Sequence, residues 1–114
     1  MLLNEAITNV RDYIYDSIDQ GILGTSGTVA QSTDTGLISP DASTATTIST
    51  SLSGNQLTFS FIKTSLTGTG TTYREYGLRD NANSVDWTRF VFTPLVASGY
   101  EDWNIKVRLF VRSV

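Results

Sequence analysis

The groups in this 114-residue chain with potential for chemistry are one carboxylate set among aromatics, a loop rich in acids and amides, and two tryptophans with a nearby tyrosine. Glu75 stands in Thr71–Leu78, whose alternation predicts a strand with Tyr73, Glu75 and Gly77 on one face and Arg74, Tyr76 and Leu78 on the other. A carboxylate sharing a core-side face with a tyrosine needs its charge offset. Arg89, on the next predicted strand Trp87–Pro94, is expected to meet it in a two-pronged guanidinium contact. The pair Glu75/Arg89 is therefore read as a structural charge pair that fixes register.

Catalysis has little to draw on. The chain has no histidine, which removes the commonest general base, and no cysteine, which removes disulfides and thiolate ligands. Glycoside hydrolysis usually needs a second placed carboxyl beside the first, and the sequence offers Glu75 none. The loop Asp80, Asn81, Asn83 and Asp86 fails the EF-hand spacing, because Ala82 and Ser84 stand where ligands are wanted and no closing glutamate follows. The Gly-rich turns GTSGT and GTGTT do not join a strand to a helix with a following lysine, so neither is a phosphate loop. We expect no enzyme, no metal and no cofactor. Trp87, Tyr100 and Trp103 could form a sugar-stacking platform, but alternation puts both tryptophans on the apolar faces of their strands, which favours the core. Asp34, in STDTG, is expected to close a local turn with its own backbone.

Several elements must position these groups. Leu3, Ile7, Val10, Ile14 and Ile18 recur at helical spacing and predict one amphipathic helix over 4–20, with Asn4 as N-cap and Gly21 as its stop. Residues 22–43 read as a long Gly/Thr/Ser-rich loop anchored by Ile22, Leu23, Val29, Leu37 and Ile38. Residues 44–114 read as strands: a hairpin Thr44–Leu52 and Gln56–Lys63 around Ser53-Gly54-Asn55, the two strands around Glu75 and Arg89, and a long last strand Glu101–Ser113. Serine and threonine number 13 and 17, about a quarter of the chain, and Thr is at home on strands. The expected fold is a single domain, 1–114, mostly β (α+β): an antiparallel β-sandwich of five or more strands with one N-terminal helix.

Charge is uneven. Residues 1–62 carry six acids and one base, a net of −5, and residues 63–114 five acids and seven bases, a net of +2. Such a chain can make head-to-tail contacts between copies. The bases are spaced along strands rather than clustered, so nucleic acid is not an expected partner. The absence of an apolar run of membrane length excludes a helical membrane span, and the N-terminus lacks the pattern of a secretion signal, so export by the general route is not expected.

The order of features resembles a group of small β-sandwich modules found in particles of tailed bacteriophages and related archaeal viruses. These modules carry a Gly-Thr-rich segment ending in Asp-Thr-x-Leu, matched by Asp34, Thr35 and Leu37. They then carry a strand with Arg-Glu-x-Gly-Leu, matched by Arg74, Glu75, Gly77 and Leu78, and an Arg-x-x-Phe strand, matched by Arg89 and Phe92. The resemblance implies a non-enzymatic virion structural protein, made in the host cytoplasm and present in several copies in a tail, baseplate or fibre adaptor. Such modules often begin a longer fibre protein, and this chain stops after the module, which favours a stand-alone adaptor, tail or decoration subunit. Capsid decoration and recognition of a host-surface glycan are the alternatives. The expected partners are other virion proteins and further copies of the chain, with contacts at Tyr13, Tyr15, Thr25, Asp34, Leu37, Tyr100 and Trp103. An open edge of the last strand is a candidate for strand addition.

Overall fold

The structure, a computed structural model, describes residues 3–64, 70–97 and 102–112. It is mostly β, with one N-terminal helix and two antiparallel sheets of eight strands among the described residues.

Helix α1 spans Asn4–Ser17 and turns Ile7 and Ile14 inward. Its N-cap is Leu3 rather than Asn4, with no side-chain cap. The helix stops at Ser17, short of the expected Gln20, because Ile18 is extended and buried and Asp19 already bonds to the Arg79 carbonyl. Leu3 and Val10, expected on the buried stripe, are 74% and 44% exposed.

The next strand, β1 (Gln20–Gly24), lies where helix end and loop were expected, and it is central to its sheet. Two glycines disguise it as a loop, yet tertiary contact requires both. A Cβ on Gly21 would come within 2.6 Å of the Phe61 ring, and one on Gly24 within 2.7 Å of Glu75 Cγ. The long connection therefore runs from Thr25 to a 3₁₀ turn at Ala42–Thr44, which the Asp41 side chain caps at the Ser43 N–H.

The remaining strands are β2 (Thr46–Thr47), β3 (Ser49–Ser53), β4 (Gln56–Lys63), β5 (Thr72–Asp80), β6 (Val85–Asp86), β7 (Phe90–Val96) and β8 (Trp103–Phe110). One sheet runs β2-β1-β5, with both β6 and β7 on the far side of β5; the other runs β3-β4-β8. The β3–β4 hairpin turns at Gly54, whose φ of +57° suits glycine. The second predicted strand of the Glu75 hairpin is broken: Trp87, Thr88 and Arg89 are not strand, and pairing resumes at Phe90.

The core lies between the sheets, with Leu57, Phe59 and Phe61 of β4 facing Leu23, Tyr76 and Leu78 and with Ile14 and Ile18 closing it. Fully burying such side chains contributes about 1.5–3 kcal/mol each. Strict alternation fails on β5, since Tyr73 and Tyr76, three apart, both belong to this core. The cause is a register shift against β7: Tyr73 pairs with Leu95 and Glu75 with Val91, so Phe92, Thr93 and Pro94 bulge opposite Arg74 alone. Tyr73 thus faces the core, while Glu75 does not share its face. No described helix is long and apolar enough to cross a membrane.

Candidate functional site

Glu75 is fully buried on the outer side of its sheet, beneath the long connection. Oε2 accepts the backbone N–H groups of Ser26 at 2.8 Å and Ser39 at 3.0 Å. Oε1 accepts the N–H of Ile38 at 2.9 Å and the Arg89 Nε at 3.0 Å. Four donors thus converge on one carboxylate, and three are backbone amides from both limbs of the connection. Burial pushes the Glu75 carboxyl up, but the Arg89 hydrogen bond and those from Ser26, Ser39 and Ile38 outweigh it and hold the group below its ordinary value.

Arg89, nearly buried, reaches Glu75 with one nitrogen rather than two. Its other two nitrogens go to the connection: Nη1 donates to Asp34 Oδ2 at 3.2 Å and Nη2 to the Thr28 carbonyl at 2.8 Å. A fork spread over three acceptors fastens a loop better than it fixes register. Asp34 also accepts the Gln31 N–H at 3.0 Å, so it closes a turn with the residues before it rather than the Asx-type turn with the backbone that follows. The Thr25 carbonyl accepts a bond from Arg74, and the Leu37 side chain lies close against Gly77. The structure therefore joins Thr25, Asp34, Leu37, Glu75 and Arg89 in one clamp. Neither carboxylate oxygen of Glu75 is left for a substrate.

The other expected contact residues lie elsewhere. Tyr13 is 64% exposed and stacks obliquely on Trp87 at 6.1 Å, and Tyr15 is 40% exposed. Trp103 is buried, edge-on to Tyr73 at 5.4 Å, so it supports the core rather than a sugar platform. Tyr100 lies outside the described residues. The Asp80 carboxylate accepts both the backbone and the side-chain N–H of Asn83, and among the described residues no three His, Cys, Asp or Glu converge as a metal site.

An open cleft between the sheets was not foreseen from residue patterns. It has a volume of about 740 Å³ and lies between β7 and β8, lined by Phe90, Phe92 and Leu95 on one side, Trp103, Ile105 and Val107 on the other, and Tyr76. Both β7 and β8 are edge strands among the described residues. The available signal was the run Phe90–Val96, apolar at every position but Thr93 and Pro94, where a half-wet strand would alternate. A second overlooked bond ties Tyr73 to Asp41 at 2.7 Å. Burial first, then Asp41, pushes the Tyr73 phenol up to about 12. Comparison with family models, curated proteins and solved structures finds no match to this chain.

Proposed function

We propose that the chain is a non-enzymatic structural subunit that docks in several copies on a larger assembly, the particle of a tailed phage, at a tail, baseplate or fibre-adaptor position. One observation carries the assembly reading: the apolar cleft between two strand edges that the described residues leave open. Exposed apolar surface gathered in a groove favours a macromolecular contact. The clamp supports the non-catalytic part, since its buried carboxylate is saturated with donors. The phage setting rests on the resemblance carried by Asp34-Thr35-x-Leu37, Arg74-Glu75-x-Gly77-Leu78 and Arg89-x-x-Phe92. The test is to purify particles by density gradient from cells producing the chain and to probe the bands with an antibody against it. The chain is expected in the particle band at a fixed ratio to the major coat protein. Its confinement to the soluble fraction would overturn the proposal.

A further inference from the structure

The long connection buries none of its own side chains: no residue of 25–40 is buried, and Val29 and Ile38, expected as anchors, are 75% and 49% exposed. Its two ends are joined at a neck. The Thr25 N–H donates to the Ser39 carbonyl at 3.0 Å, the Asp41 N–H donates to the Leu23 carbonyl at 2.8 Å, and Gly24 pairs with Pro40. Beyond the neck, every hydrogen bond between residues 26–38 and other segments, among the described residues, ends on Glu75 or Arg89. Glu75 takes the Ser26 and Ile38 amides, Arg89 takes the Thr28 carbonyl and the Asp34 carboxylate, and Arg89 itself leans on Glu75. Leu37 packs on Gly77, where a Cβ would come within 3.1 Å of it. A segment with little buried apolar surface and a few polar ties belongs to the low-stability end of a fold.

We propose that residues 26–38 form a strap that opens and recloses as a unit about this neck while both sheets stay folded, with the Glu75 carboxylate as its latch and protonation of Glu75 as its release. The latch has no room for a proton. Oε1 already faces the Ile38 and Arg89 donors and Oε2 the Ser26 and Ser39 amides, so a proton on either oxygen must displace a donor. The charged groups around it are few. Arg89 follows β6, Arg74 on β5 donates to the Thr25 carbonyl, and Asp34 comes from the strap itself. Asp86 of β6, with Arg79 at 3.9 Å, lies against Gly36, and Asp41, bonded to Tyr73 and near Lys63, sits at the neck. Because the Glu75 carboxyl is held below its ordinary 4.5, the latch holds above that value and lets go as pH falls through the folded one. Opening uncovers Glu75 and Gly77 on the outer face of β5 and frees the Arg89 guanidinium from the Thr28 carbonyl and Asp34. Strap opening needs no second copy, so it stands whether or not the chain assembles.

Amide NMR of the whole 114-residue chain across pH tests it. The Ser26, Ile38 and Ser39 N–H signals are expected to move together with one midpoint below 4.5, while the Leu57, Phe59 and Phe61 signals of β4 stay in place. At neutral pH, Glu75→Gln should leave the strap open, because its amide group sets two hydrogens among the donors that the carboxylate accepts. Thermolysin should then cut between Gly36 and Ile38 at least about tenfold faster than in wild type, since cleavage follows the population of the open form. If Glu75→Gln does not fold, the wild-type titration decides the question without a substitution. Three outcomes would overturn the inference: strap and β4 signals lost in one transition, strap amides that titrate with separate midpoints, or a folded Glu75→Gln chain whose strap resists thermolysin as wild type does.

Discussion

Glu75 and Tyr76 are neighbours on β5, and they open onto opposite conditions. On the Glu75 side, Ser26, Ile38, Ser39 and Arg89 fill both carboxylate oxygens, and the connection from Thr25 to Asp41 closes the face. On the Tyr76 side, the sheets close around β4 and part between β7 and β8, leaving an apolar cleft. The first region uses charge and hydrogen bonds and is complete within the chain. The second uses apolar surface that the described residues leave uncovered, and in the proposed assembly a partner would cover it. A polar group taken out of water must be satisfied inside its own fold, because each missing bond costs about 1–3 kcal/mol. Apolar surface at an edge can stay exposed in the free chain and be covered on assembly.

Removing the charge of the clamp should give the largest effect. Glu75→Gln replaces an acceptor of four bonds and leaves the nearly buried Arg89 short of its main counter-charge, which should cost about 3–5 kcal/mol in urea unfolding. The same variant has a pH signature. The folded Glu75 carboxyl is held below its ordinary 4.5, so its stabilisation is present above that value and is lost as pH falls through the folded value. Wild type should therefore lose more stability than Glu75→Gln as pH drops below about 4.5, and equal losses would show that the carboxylate is not held by the clamp.

Gly24→Ala tests the same region by crowding. Its Cβ would meet Glu75 Cγ and the Ser39 carbonyl at 2.7 Å each, and we expect about 1–3 kcal/mol of destabilisation in thermal or urea melts. A neutral result would mean that β1 does not lie against the carboxylate.

The core-to-cleft side should respond weakly, and in one case with the opposite sign. The Tyr76 hydroxyl is buried against Gly21 with no hydrogen-bond partner among the described residues, and burial raises its pKa. Tyr76→Phe should be neutral or stabilising by up to about 1 kcal/mol. A clear loss would reveal a partner for that hydroxyl. The smallest effect is expected for Leu95→Ser at the cleft mouth, within about 0.5 kcal/mol in the dilute chain. A larger loss would show that the cleft is packed shut in the monomer, which would erase the contrast between the two sides.

Much of the fold was legible because the relevant signals are local. Leu57, Phe59 and Phe61 announce a half-buried strand by alternation alone, and Ile7 and Ile14 announce the buried side of a helix. β1 was not legible, since Gly21 and Gly24 read as loop residues until Phe61 and Glu75 are known to press against them. The break of alternation at Tyr73 was hidden for a similar reason: it arises from a bulge in a partner strand. Within the clamp, a buried carboxylate calls for a cation, so Glu75 and Arg89 could be paired from residue type and predicted strand adjacency. The three backbone amides could not be foreseen, because a main-chain donor leaves no mark on the residue that carries it.

Residue order alone thus settles the β-rich class, the N-terminal helix, the β3–β4 hairpin and the need for Arg89 near Glu75. These follow from periodicity, turn residues and the cost of an unpaired charge. Three features emerge only from the folded chain: Glu75 holds a long connection rather than a strand register, Leu3 and Val10 stay exposed, and the sheets part between β7 and β8. Each depends on which distant segments meet, and that is set by packing the whole chain at once rather than by any stretch of it.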